Sequence, residues 1–476
     1  MKKLFTFALI AVLLASGLIL SCSNASGSSA NGATGTESGT SETTEQATGP
    51  DDGNGIVEEI KALKESRVIK ASGRFSARLL REINTALKQL SRLNKDIKVV
   101  LDLSEVTGLT ELESALENSS CSFCECKNLV EVILPNTIKT IGAFSFCDCS
   151  KLESVTIPAS VTSIAEGAFS GCVALEEMSL PIMNGVLSNS SKTYYPFGYI
   201  FGETPYDGAV ATEQEYYMAH YENNVFIGGQ VLKSTYYLPP FLKRIKITGS
   251  WINDGFFYNC SQITMITICG GEEGIGANAF FNCAGLTRVM IPNIANGIGY
   301  CAFAGCTELT SVTMPDSVTE IGAHAFSDCT SLASVTISNG VTSIGYCTFA
   351  GCTELTSVTI PDSVTEIGAT AFSGCTSLAS VTISNGVTSI GFQAFEGCTE
   401  LTSVTMPDSV TEIGMQAFYG CTSLTSVTFS DTSRWYYGGY HNYTDGTAID
   451  SATLADSATA ATYLKDTYSD KYWYKL

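Results

Sequence analysis

The chain has 476 residues, 45% of them hydrophobic, with 18 cysteines and a formal charge of −21. That apolar content excludes a disordered chain, and the acidic balance argues against nucleic acid and against docking on anionic lipid. A chain this long would ordinarily hold about three domains, but an internal repeat overrides that expectation.

The chain opens with Lys2 and Lys3, an apolar run over residues 4–20, then Ser21 and Cys22. A positive start, an apolar middle and a small residue at the cut describe a secretory signal over residues 1–21, and this is the one segment suited to entering a membrane. Cysteine directly after the cut resembles a bacterial lipobox, with Cys22 as the lipidated first residue. Ile19 stands where many lipoboxes carry leucine, so ordinary secretion and an uncleaved anchor are the other readings. The stretch up to about residue 55 is Ser, Gly, Thr, Ala, Asn and acids, too polar to fold, so residues 22–56 read as a lipidated cysteine and a disordered tether.

Residues 57–125 differ in character. Lys61, Lys64, Arg67, Arg74, Arg78, Arg81, Lys88 and Arg92 make this stretch basic. Residues 77–93 have helical spacing, with Leu79, Leu80, Ile83, Leu87 and Leu90 on one side. Residues 67–75 and 97–103 read as short strands. An N-terminal α/β cap with a degenerate first repeat is expected here, because an open end of a stacked array exposes apolar core and unpaired backbone. A separate binding role for the basic helix is the alternative.

From residue 126 a cysteine returns every 23 residues: Cys126, Cys149, Cys172, then Cys260, Cys283, Cys306, Cys329, Cys352, Cys375, Cys398 and Cys421. A period in this range means stacked supersecondary units that bury their apolar faces against one another. In the copy at Cys306, residues 309–315 predict a strand with Leu309, Val312 and Met314 inward and Thr310, Ser311 and Thr313 in solvent. Residues 318–322 predict a second short extended piece, and Ala325 and Phe326 pack inside before the next cysteine. About twelve coils at roughly 4.8 Å each are expected. The fold class is therefore a mostly β solenoid, poor in helix, with short strands on both sides of each coil, running over residues 126–181 and 260–430.

Residues 182–259 break the phase. The interval from Cys172 to Cys260 approximates four copies, which predicts whole degenerate coils, and Leu242, Ile245 and Ile247 keep the strand pattern. Aromatics crowd the first part: Tyr194, Tyr195, Phe197, Tyr199, Phe201, Tyr206, Tyr216, Tyr217, Tyr221 and Phe226. Insertions in repeat proteins map to loops on one face, often the binding face, and aromatics are favoured contact residues. Tyr194, Tyr195, Phe197, Tyr199, Phe201, Tyr216, Tyr217 and Tyr221 are therefore candidate ligand contacts. A hairpin closing a gap in the stack would be equally aromatic. Residues 431–476 carry Trp435, Tyr436, Tyr437, Tyr440, Tyr443, Tyr463, Tyr472, Trp473 and Tyr474 and read as a C-terminal cap, with a second contact surface as the alternative.

The pattern C-x-x-L-x-x-V-x-I-P-x-x-V-x-x-I-G-x-x-A-F resembles the BspA-type leucine-rich repeat of bacterial surface proteins. The resemblance covers residues 126–429 apart from the insert, and eleven cysteines in phase make it specific. The strand around Leu101, Asp102, Leu103 and Ser104 and the Tyr-rich tail also look like flanking pieces of that family. It implies a cell-surface protein of adhesion or matrix binding, lipid-anchored at the bacterial outer surface, with the outer membrane as the expected site.

No candidate chemistry competes with binding. Stacked equivalent cysteines lie parallel at the coil spacing, whereas a disulfide needs Cβ atoms about 3.8 Å apart and turned toward each other. The in-phase cysteines therefore read as a reduced, buried ladder. Cys121, Cys124 and Cys147 are off phase and are better disulfide or metal candidates, but no histidine accompanies them. His220, His324 and His441 sit in no nucleophile, zinc or phosphate motif, and catalysis needs unlike groups converging, which an array of identical copies does not offer. No enzyme, cofactor or metal site is expected. Between Val289 and Ser430 there is no Lys or Arg against eleven acids, most in rows: Glu308, Glu354, Glu400; Asp316, Asp362, Asp408; Glu320, Glu366, Glu412. Solubility accounts for the rows, and a basic partner or calcium bridging are the sharper readings. The recurring Ser-Val-Thr makes a neutral hydroxyl face suited to protein or glycan contact. The expected partners are protein or glycan ligands on host or other bacterial cells, with membrane contact only through the N-terminal lipid and no nucleic acid. The alternatives are a structural envelope protein without a specific ligand and a polysaccharide-binding accessory to an enzyme.

Overall fold

The computed structural model describes residues 54–113, 122–181, 196–222, 225–249, 251–270, 274–293, 295–438 and 446–476, without the side chains of Asn54 and residues 216–230. Cys22, Cys121, Tyr194 and Tyr195 lie outside the described residues, as do the side chains of Tyr216, Tyr217 and Tyr221.

Each coil contributes one longer strand to one side and one two-residue strand to the other. On the first side an eight-stranded parallel sheet runs in chain order from Arg67–Arg74 to Arg288–Met290, and a six-stranded one from Ser311–Thr313 to Ser426–Phe429. Successive strands pair one repeat apart, Ser311 with Ser334, Ser334 with Ser357 and Ser357 with Ser380. The expected alternation holds: Leu309, Val312 and Met314 are buried, while Thr310, Ser311 and Thr313 are exposed. The second side carries three-, four- and seven-stranded sheets of short strands such as Glu320–Ile321.

Between the two sides the core is a set of ladders. Phe257, Phe280, Phe303, Phe326, Phe349, Phe372, Phe395 and Phe418 stack at successive ring separations of 5.0–5.5 Å. Beside them, nine of the eleven in-phase thiols donate to the carbonyl of the phenylalanine one coil earlier, among them Cys352 to Phe326 and Cys375 to Phe349, both at 3.2 Å. The eleven in-phase cysteines are all free and buried. A small buried hydrophobe with one weak donor thus adds a second donor to a carbonyl that already accepts a turn amide, the Cys329 amide at Phe326 and the Cys352 amide at Phe349. Threonine recurs just after the cysteine for a related reason: Thr353 Oγ1 donates to the Thr330 carbonyl at 3.1 Å, and Thr376 to Thr353 at 3.3 Å.

Both ends are covered. The helix Ala77–Leu93 is capped by Ser76, whose hydroxyl accepts from the Leu79 amide, and buries Leu79, Leu80, Ile83, Leu87 and Leu90 as its spacing predicts. Its buried Asn84 accepts from the Cys126 thiol at 3.2 Å, standing in for the coil that does not precede it. A second helix, Asn54–Ala62, which the polar composition did not predict, begins inside the stretch read as tether and buries Ile56, Val57 and Ile60. At the far end Trp435 and Trp473 are buried against Phe429, and the strand Tyr472–Lys475 pairs antiparallel with Glu412–Ile413.

The expectation of several degenerate coils between Cys172 and Cys260 is corrected. The strand Arg244–Ile247 pairs directly with Glu177–Leu180 on one side and with Met265–Ile268 on the other. The interval holds two coils, not four. Its length comes from chain inserted within a single coil.

Candidate interaction surfaces

The coil that carries the insert must replace the residues it lacks. Where other coils place Ala-Phe, this one places Ile200 and Phe201: the Phe169 amide donates to the Ile200 carbonyl at 2.9 Å, as the Phe146 amide does to Ala168 at 2.8 Å. Phe201 continues the ring ladder from Phe169 at 6.5 Å, and Phe197 bridges onward to Phe257 at 4.8 Å. Both rings are fully buried. Phe197 and Phe201 are therefore core residues and cannot be ligand contacts, because stacking in the ladder removes them from solvent. Tyr199 is half-buried and packs against the same core.

After Gly202 the chain leaves the stack and forms an antiparallel hairpin, Val210–Glu222 with Val225–Leu238, much longer than any strand of the array. Its base is anchored. Thr212, Gln214, Tyr236 and Leu238 are buried. Gln214 is the fastening: its carbonyl accepts from the Gly198 amide at 2.6 Å, and its amide donates to the Tyr258 carbonyl at 2.8 Å and contacts the Cys260 sulfur at 3.3 Å. Gly198 is required by this approach, since a Cβ there would lie 2.5 Å from both Gln214 and Tyr236. Farther out, Val231 is exposed, and Lys233 pairs with Glu215 at 2.6 Å and Glu213 at 3.5 Å. Among the described residues each hairpin strand pairs only with the other; at the base the Tyr237 amide donates to the Gly202 carbonyl and the Glu213 carbonyl accepts from Asn259, and no described strand covers either edge. Tyr216 and Tyr217 lie in this hairpin opposite Leu232 and Val231, and Tyr221 opposite Phe226. The backbone thus groups these three while placing Phe197 and Phe201 elsewhere.

The cysteines are structural. Burial pushes the thiols of Cys283, Cys329 and Cys375 up to about 12 from an ordinary 9.0. Thiols so raised stay protonated at neutral pH and supply neither nucleophile nor metal ligand. Of the off-phase set, Cys124 is disulfide-bonded, whereas Cys147 is free and half-buried, its thiol also pushed up to about 12 by desolvation. The exposed rows fall where expected: Glu308, Glu354, Glu400, Asp316, Asp362, Asp408, Glu320 and Glu366 are in solvent, while Glu412 is partly covered, with the Tyr472 hydroxyl donating to it at 2.5 Å.

The BspA-type leucine-rich repeat pattern matches residues 112–195, 250–379 and 342–459, in six copies, spanning more than half of the chain. The chain belongs to the BspA-type leucine-rich repeat family. Solved structures similar to this BspA-type protein include three other bacterial leucine-rich repeat chains. One, from Bacteroides ovatus, is 26% identical over 67% of this chain and 76% of its own, with a TM-score of 0.38. A leucine-rich repeat protein from T. pallidum is 25% identical over 38% of this chain and 77% of its own, at 0.31. A leucine-rich cell surface protein from Faecalibacterium prausnitzii is 24% identical over 70% and 79%, at 0.27. No curated protein matches the chain. The family is one of protein-interaction repeats, and the matched pattern is that of a binding module.

Proposed function

We propose that this BspA-type protein is a cell-surface adhesion module that binds protein ligands through its hairpin. In this reading residues 1–21 direct export, Cys22 carries the lipid that holds the protein at the bacterial outer surface, and the chain between Cys22 and the helix Asn54–Ala62 sets the body off from it. The solenoid is the rigid support, and the hairpin gives selectivity. The observation that carries the reading is the hairpin itself: two long strands fastened at the base by Gln214 and Tyr236, with edges that no described strand covers. A free strand edge recruits an extended partner segment through main-chain hydrogen bonds, with side-chain contacts adding selectivity. Tyr216, Tyr217 and Tyr221 are the contacts proposed for that role.

The test is binding of the purified chain, residues 23–476, to a panel of matrix proteins and to whole cells. Beside it runs a variant in which an Asn-Gly turn replaces residues 217–231, which keeps the buried base intact. Saturable binding lost in the variant is the expected result. Binding that survives moves the site to the array or the tail, and no binding to any member supports a structural envelope role.

A further inference from the structure

On the second side two consecutive coils lack the side chain that the later coils carry at the head of the short strand, Gly274 and Gly297. Glu320, Ser343, Glu366 and Ser389 open the short strands of their coils, and the equivalent residue one coil earlier is Gly297. Packing does not require this glycine. A Cβ there would meet nothing nearer than 3.8 Å, and its backbone is in a region open to any residue. Over these two coils lies a shallow groove of about 520 Å³ lined by Trp251, Asn296, Gly297, Tyr300 and Glu320. Trp251 is partly exposed and Tyr300 is 52% exposed.

The groove does not stand alone. Tyr300 precedes Cys301, whose positive φ of 51° turns the chain outward, and the same turn follows in later coils at Cys347 (53°) and Gln393 (53°). The residues just before these turns, Tyr300, Tyr346 and Phe392, are 52%, 53% and 41% exposed. Aromatics therefore recur in every second coil, about 10 Å apart. Coils between them carry Ala323 or Ala369 at that place and Glu320 or Glu366 at the head of the short strand. His324 fills the first interval, edge-on to Tyr300 at 5.8 Å and to Tyr346 at 5.0 Å. The track is thus a row of flat apolar faces alternating with carboxylates.

We propose that the groove between Trp251 and Tyr300, continued by Tyr346 and Phe392, is a binding track for a neutral, linear β-linked glycan. Three features select this ligand. Aromatic faces stack on the apolar C–H faces of pyranose rings, and the two-coil spacing is close to the length of one disaccharide in an extended β-linked chain. The carboxylates only accept hydrogen bonds, so they suit sugar hydroxyls, which donate, and not a polyproline backbone, which presents mainly carbonyl oxygens. The absence of Lys and Arg between Val289 and Ser430 disfavours a sulfated or otherwise anionic polymer. The track does not depend on the hairpin's proposed role.

The probes are the β-1,4-linked tetrasaccharides of glucose and of N-acetylglucosamine, titrated into residues 23–476 and followed by tryptophan fluorescence. The chain has three tryptophans, and Trp435 and Trp473 are buried, so Trp251 dominates any ligand-induced change. A saturable change with one of the two is expected. Tyr300→Ala and Tyr346→Ala each weaken it by about tenfold, Tyr346→Phe keeps it, and Tyr419→Ala, off the track, leaves it unchanged. Gly297→Glu, which puts the side chain found at Glu320 one coil later into the groove and fits the backbone, abolishes binding while the circular dichroism spectrum is retained. Failure of both sugars to bind at millimolar concentration overturns the proposal, as does binding indifferent to Gly297→Glu and Tyr300→Ala. Binding of an octaproline or oligolysine peptide with the same variant dependence, in place of the sugars, assigns the track to a peptide and overturns the glycan.

Discussion

Between Cys306 and Phe429 each coil repeats the bonds of the coil before it, whereas the coil between Glu177–Leu180 and Arg244–Ile247 makes the equivalent contacts with different residues. In the regular stretch one phenylalanine, one cysteine and one threonine per coil suffice, because each neighbour presents the same partners. In the insert coil the ring is supplied by Phe197 and Phe201 together, Pro239 takes the cysteine's place, and Gln214 arrives from the hairpin to occupy the polar gap beside Cys260. Repetition spreads stability evenly along the stack. The insert concentrates it in a few residues that have no copies.

The largest effect expected is on the ring ladder. Phe349 lies between Phe326 and Phe372 at 5.5 and 5.4 Å, with no other ring to fill the space it leaves. Phe349→Ala should cost about 4–5 kcal/mol and Phe201→Ala about 3 kcal/mol, because Phe197, 5.2 Å away, can shift into the gap. Chemical denaturation with paired variants measures both. Equal losses would mean that the insert coil is packed as tightly as the array.

A smaller effect separates the two regions by chemistry. Gln214→Ala leaves the Gly198 amide and the Tyr258 carbonyl buried without this partner, at a cost of about 2–3 kcal/mol. Hydrogen exchange should then show faster opening at Phe197–Ile200 and at the hairpin base, with protection across Ser357–Ile360 unchanged. Loss of protection in both places would show that the two regions unfold as one.

The smallest effect per site belongs to the thiols, and it depends on pH. Folding raises Cys283, Cys329 and Cys375 from an ordinary 9.0 to about 12, so the native state holds their protons after the unfolded chain has released them. Their contribution is complete below pH 9 and falls as pH rises from about 9 toward about 12. Stability should decline across that window, and Cys375→Ala should make the decline shallower while lowering the neutral-pH value by about 1–2 kcal/mol. Alkylation by iodoacetamide at pH 8 should spare the eleven in-phase cysteines until the chain is unfolded.

Much of the array was legible because its rules are local and repeated. The strand at residues 309–315, the inward set Leu309, Val312 and Met314, and the helix at 77–93 all follow from periodicity, and each copy confirms the next. The insert was legible only as a disturbance. Phe197 and Phe201 read as surface aromatics because the phase that would mark them as core is lost between Pro181 and Phe201. One signal remained: the run Ile200-Phe201-Gly202 echoes Ala168-Phe169-Ser170 and could have placed Phe201 in the ladder. Gln214 had no such signal, since nothing in its neighbourhood distinguishes it from Glu213 or Glu215.

The amino-acid sequence by itself determined the solenoid, its register, its reduced cysteine ladder and its acidic, lysine-free face, because identical units stack in only one phase that buries every apolar face. Tertiary structure alone decided that the insert belongs to one coil, that two of its aromatics are core, and that a groove lies between Trp251 and Tyr300 beside Gly274 and Gly297. These depend on which segments meet across a break in the repeat, and on the side chain that two consecutive coils lack beside later coils that have it.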